Sequence, residues 1–153
     1  GRAHTLEWMI FIPMSTIEYE REDHSLIEYC LNIQCTWRIT DQRGIVIASD
    51  DLFFPAGDNP YNDMDNFDWA VQGNSRLDAR TDIFTTKLSN NPLIVLSIKA
   101  DPFGGLKILL TEGYSIELFP SNSIGHEFWR FFVHHSTDDH FVVTGKGIGE
   151  PSV

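Results

Sequence analysis

The sequence predicts an α+β fold that is mostly β: an antiparallel sheet or partly closed barrel of about 7–9 strands, with one major helix near 75–89. Three observations carry this. In LIEYCLNIQCTWRIT, Ile27, Tyr29, Leu31, Ile33, Cys35, Trp37 and Ile39 alternate with Glu28, Cys30, Asn32, Gln34, Thr36, Arg38 and Thr40, the period of a strand with one buried face. The reversals DQRG, ADPFGG and Glu112-Gly113 separate apolar runs at hairpin spacing. A single segment, NSRLDARTDIFTTKLSNNP, combines a capping residue, a helical apolar face and a stop.

Taken in chain order, a first strand is expected at 5–13, in TLEWMIFIPM, which ends at Pro13. A long strand follows over 26–40, and DQRG turns it into a second strand at 44–49. In the helix, Asn74 or Ser75 caps, Leu77, Thr81, Phe84 and Leu88 trace the sheet-facing side, and Asn90, Asn91 and Pro92 end it. The run PLIVLSIKAD, then 105–111 and 114–119, read as three consecutive strands of a meander. Further strands are expected at 127–133 and 139–144, and a flexible tail at about 146–153.

With 153 residues, the chain is read as one globular domain with one core. Its 42% hydrophobic content is that of a folded protein. It begins with Gly1 rather than Met, so the native start is expected upstream. No apolar run reaches the roughly 20 residues of a membrane-spanning helix, and no signal-peptide pattern is present, so a cytoplasmic location is the expectation. Cys30 and Cys35, five apart in one expected strand, would point to opposite faces roughly 16 Å apart, too far for a disulfide. They read as buried thiols of a reducing compartment.

The formal net charge is −11, from 11 basic and 22 acidic residues. That balance disfavours a nucleic-acid backbone or an anionic membrane as partner and suits a basic protein. The acidic excess is concentrated between Ser49 and Trp69. No Lys or Arg occurs from Gly44 to Ser75, and Asp50, Asp51, Asp58, Asp63, Asp65 and Asp68 make the segment the expected partner-binding surface. Read as an EF-hand from Asp63, the segment fails, because positions 5, 6 and 12 are Phe67, Asp68 and Asn74.

A second chemically suggestive stretch is HHSTDDH, where His134, His135 and His140 form a candidate metal set. The apolar runs on either side make it the loop between two strands, where Ser, Thr and Asp serve turns. In HEFWRFF, alternation puts Phe128, Arg130 and Phe132 on one face and Trp129, Phe131 and Val133 on the other, with Arg130 expected to pair with Glu117 or Glu127. Gly145, Gly147 and Gly149 lack the following helix that a phosphate cradle needs. No nucleophile elbow is present. Neither a catalytic residue nor a cofactor is therefore assigned.

The elements CTWRI, ASDDLF, WAVQG, ELFPSNS, EFWRFF and HFVVTGKG, in this order, resemble a family of small bacterial proteins to which no activity is attached. The likeness runs over nearly the whole chain, and in that family the GRA element follows a short leading segment. It implies relatives but no substrate. Size and charge suit a non-catalytic interaction domain of the immunity or antitoxin type that covers a basic partner surface. The alternative is a small-ligand or metal-binding module with loops 50–68 and 134–140 at its mouth. Sheet edges and aromatic content are compatible with a homodimer.

Overall fold

A computed structural model describes residues 29–59, 61, 64–133, 137 and 140–149. Nine strands are present among them: β1 (Tyr29–Ile33), β2 (Thr36–Asp41), β3 (Gly44–Ala48), β4 (Val95–Ala100), β5 (Leu106–Leu110), β6 (Ser115–Phe119), β7 (Glu127–Val133), β8 (Phe141–Thr144) and β9 (Gly147–Gly149). One α-helix, α1 (Arg76–Asn90), lies between β3 and β4. The fold is α+β and mostly β, as expected. The strands form two antiparallel sheets, of order β1-β7-β8-β9 and β3-β2-β6-β5-β4. Among the described strands no barrel closes, because the larger sheet ends on β3 and β4, which do not pair with each other.

The expected long strand over 26–40 is two strands in two different sheets. β1 pairs with β7, β2 pairs with β6, and the chain crosses between sheets at Gln34-Cys35. The Gln34 N–H donates to the Phe128 carbonyl at 2.7 Å, and its side-chain amide donates to Glu127 Oε1 at 2.9 Å. The corner spans two residues, so the alternation continues in phase through it. Ile33 and Trp37 are both buried, and the sequence pattern does not register the crossing. Cys30 consequently lies in β1 and Cys35 in the corner itself, and both thiols are free.

The remaining expectations on described residues hold in outline. Gln42-Arg43 turns β2 into β3, and β4, β5 and β6 form the meander. Glu112 and Gly113 take φ of 58° and 76°, the left-handed turn between β5 and β6. Residues 147–149 pair with β8 as β9 rather than forming part of a flexible tail. Glycine at 147, φ 109°, allows the two-residue reversal after Thr144. The strand expected at 5–13 and residues 150–153 lie outside the described residues.

A single core joins both sheets and the helix: Leu31, Ile33, Trp129 and Val143 from the smaller sheet meet Trp37, Ile39, Ile108, Ile116 and Leu118 from the larger. Leu77 and Phe84 of α1 enter the same cluster, with Leu88 packed against it. Trp129 ties the layers together, since its indole N–H donates to the Gly104 carbonyl in the β4–β5 turn at 2.8 Å. That turn approaches closely: a Cβ on Gly104, whose φ is +91°, would lie 3.0 Å from Val143 Cγ1.

The helix start is set by a reciprocal cap. Ser75 Oγ accepts from the Asp78 N–H at 3.1 Å, and Asp78 Oδ2 accepts from Ser75 Oγ at 2.8 Å and from the Gly73 N–H at 2.9 Å. Ser75 is fully buried and Asp78 nearly so, so removing either partner strands desolvated polar groups. At the other end of α1, Lys87 Nζ contacts Glu112 Oε2 at 2.8 Å and docks the helix on the β5–β6 turn. Ser75→Ala is expected to lower unfolding free energy by about 1–2 kcal/mol, and Asp78→Ala by more. Urea denaturation followed by circular dichroism measures both.

Candidate functional site

Among its described residues, the acidic segment is an excursion with a closed base. A 3-10 helix over Ser49–Phe53 leads out of β3, and Pro55 then bridges Ser75. The flanking bonds run from the Ala56 N–H to the Asn74 carbonyl at 2.9 Å and from the Arg76 N–H to the Phe54 carbonyl at 2.7 Å. Within the excursion, Phe67, Val71 and Asn74 N–H groups donate back to Met64, Asp68 and Val71 carbonyls. These bonds define successive turns.

The expected partner-binding aspartates divide by what they already hold. Asp51 is engaged inside the fold: Oδ2 accepts from the Ala48 N–H at 2.9 Å, and Oδ1 lies 3.6 Å from Arg76 Nε. Asp50, Asp58, Asp65 and Asp68 are exposed. Asp50 accepts from Ser49 Oγ at 3.3 Å, and Asp68 accepts from the Ala70 N–H at 2.9 Å, bonds that leave each carboxylate with a free face. Asp63 lies outside the described residues.

Sequence reasoning passed over the aromatic side chains set among these carboxylates. Phe53 is 52% exposed, Tyr61 78% and Trp69 49%, with Met64 and Val71 also exposed. Phe53 and Trp69 meet edge-to-face at 6.3 Å, as do Phe54 and Tyr61 at 6.3 Å. Exposed aromatics clustered on one segment are unusual on a monomer surface. The signal was present in the sequence as FF, Tyr61 and Trp69 inside an aspartate-rich run.

HHSTDDH does connect β7 to β8, which pair antiparallel. Of the candidate metal set, His134 and His135 lie outside the described residues, and His140 is engaged. Its ring stacks on Phe132 at 4.4 Å and 18°, and its Nδ1 lies 3.1 Å from an Arg130 terminal nitrogen. A guanidinium only donates, so this contact requires Nδ1 to accept. Among the described residues no group of three His, Cys, Asp or Glu side chains is placed to hold a metal.

Arg130 pairs with Glu127, as one of the two expected options: Arg130 Nε to Glu127 Oε1 is 2.6 Å, and a second, closer contact joins the other nitrogen and oxygen. A regular strand would send residues three apart to opposite faces. Here a bulge between Glu127 and Trp129 inserts Phe128 as an extra residue, so Glu127 and Arg130 share a side while Phe128 and Trp129 are both buried. The expected face assignment for HEFWRFF therefore fails at Phe128.

No family model, curated protein or solved structure matches this chain.

The cysteines sit in apolar surroundings. Burial pushes the Cys35 thiol up to about 11 and raises Cys30 as well, the opposite of an activated thiolate. No helix among the described residues is long and apolar enough to cross a membrane.

The outer face of the larger sheet bears a charged row that no sequence pattern indicated. Arg38 of β2 stands opposite Glu117 of β6, and Glu117 stands opposite Lys107 of β5. Glu117 Oε2 is 2.6 Å from Arg38 Nε and Oε1 is 3.4 Å from Lys107 Nζ. The Arg38 guanidinium also lies 4.9 Å from the Phe119 ring centre. A shallow surface hollow of about 230 Å3 opens beside this row, lined by Lys99, Asp101, Lys107, Glu117 and Phe119 among others.

The hydrogen bond from Arg38, followed by its charge and by Lys107, holds the Glu117 carboxyl below the usual glutamate range. A depressed native pKa contributes stability above the unfolded value of about 4.3 and loses it as pH falls through the native value. Glu117→Gln is expected to cost about 1 kcal/mol at pH 7, with the gap to the parent protein closing in acid. Urea midpoints measured from pH 7 down to pH 3 follow that convergence.

Proposed function

We propose that this protein is a non-catalytic interaction domain of the immunity or antitoxin type, whose excursion between Ser49 and Ser75 covers a basic surface on a protein partner. One observation carries the reading: exposed Phe53, Tyr61 and Trp69 stand among exposed Asp50, Asp58, Asp65 and Asp68, on a segment without a Lys or Arg. The two residue types do different work. Carboxylates steer a cationic surface into encounter and set the salt dependence. Aromatic side chains supply the dry contact that slows dissociation.

The closed base matters to affinity. A segment stitched by backbone bonds at Pro55 and Ser75 has less conformational freedom to lose on binding than an open loop of equal length. Asp51, already held by the Ala48 N–H and Arg76, supports the segment and is a weaker candidate for direct contact. Inhibition of the partner would follow from steric cover alone.

Photo-crosslinking from position 61 in the native host identifies the partner, which is expected to be basic. Replacing Asp50, Asp58, Asp65 and Asp68 by Asn is expected to lower the association rate at low salt by about 10- to 100-fold and to flatten its salt dependence. Trp69→Ala is expected to raise the dissociation rate. An acidic partner, or a quartet variant with unchanged association kinetics, rules the reading out.

A further inference from the structure

The charged row on the outer face of the larger sheet continues to the sheet's edge, where it is out of balance. After Arg38, Glu117 and Lys107, the next residue in register is Lys99 of β4, directly opposite Lys107. Both oxygens of Glu117 are already used, one by Arg38 and the other by Lys107. Asp101, just past the end of β4, supports its own turn, with Oδ1 accepting from the Phe103 N–H at 2.7 Å and the Gly105 N–H at 3.0 Å, and makes no ion pair with Lys99. Lys99 has no ion-pair partner among the described residues. Like charges opposed across a ladder destabilise it. The row of three cations and one carboxylate is short of an anion at the end where β4 has no second neighbour among the described strands.

β4 is open in other respects. Leu96 is 65% exposed and Ile98 60%. Ile98 is the register partner of Ile108, a core residue only 2% exposed, so Ile98 belongs to the inner face but overhangs the end of the core. An edge strand of this kind presents unpaired backbone donors and acceptors to any extended chain.

We propose that β4 is a docking edge for an extended acidic segment of a partner protein, which adds to the larger sheet as a sixth strand. A carboxylate opposite Lys99 completes the charged row, and an apolar residue opposite Ile98 covers the overhang. Main-chain bonds provide affinity, and the alternating side chains provide selectivity. Lys99 acts in both senses: it attracts an acidic strand and repels a basic one, while blunting indiscriminate edge pairing. The irregularity between Val95 and Ser97 confines regular pairing to Ser97–Ala100 and so sets the register. This edge takes a charge opposite to that accepted by the acidic segment and belongs to other elements of the fold.

The test uses two short capped peptides of alternating valine and threonine, one with a central glutamate and one with a central lysine. Each is titrated into the full chain while β4 amides are followed by NMR and hydrogen exchange. The glutamate peptide is expected to protect amides within Ser97–Ala100 and to bind about tenfold more tightly than the lysine peptide. Lys99→Glu is expected to reverse that preference, with core amide protection showing that the variant is folded. Lys99→Gln, which abolishes the preference without reversing it, serves if the reversal disturbs the sheet. Equal binding of both peptides, no binding by either, changes confined to other elements, or an edge already protected in the free protein by residues 1–28 each overturns the proposal.

Discussion

The two-residue corner at Gln34-Cys35 is the constraint on which the rest of the structure depends. It sends one amphipathic run into two sheets: β7 pairs with its first half, β3 and β6 pair with its second, and the remaining strands add to these. Gln34 secures the corner from both backbone and side chain, bonding to Phe128 and Glu127 at the start of β7. The Trp129 indole then reaches back to Gly104 in the opposite layer. These contacts hold the sheets face to face over a shared core containing Ile33, Trp37, Phe128 and Trp129. Sandwich corners of this kind allow a strand to change sheet without reversing direction.

Electrostatics then divides the surface of a chain with net charge −11. The acidic segment leaves β3 and returns to the cap of α1, and its base is held by the same Ser75 that anchors the helix. The outer face of the larger sheet instead lines up Arg38, Glu117, Lys107 and Lys99 in one row. A uniformly negative surface would have only one electrostatic preference. This one has a local exception, created entirely by strand register.

Much of the fold could be read from residue order because its signals are local. The turn chemistry of Gln42-Arg43 and Glu112-Gly113, the Ser75 cap and the Pro92 stop all act over a few residues. The corner escaped notice because a two-residue crossing preserves a period of two. The β7 bulge escaped for the converse reason: one extra residue, Phe128, changes the phase of an otherwise regular run. For the acidic segment, composition marked the location but not the allocation of its carboxylates, since Asp51's partner Arg76 lies across the excursion. The charged row was beyond reach of pattern reading, with Arg38 and Glu117 separated by 79 positions.

The corner also bears on how the chain acquires its structure. β2 can form its hairpin with β3 early, and β4, β5 and β6 can zip as neighbours, since these pairings are close in sequence. β1 must wait for β7, nearly the whole described chain later. Loop-closure entropy makes such distant pairings slow. During synthesis the β2–β3 hairpin and the β4–β5–β6 meander can therefore form while β2 still waits for β6 and the first strand, with Leu31 and Ile33, is still without its partner. The interval before β7 emerges is the time at which this protein is most vulnerable to aggregation or most dependent on a chaperone.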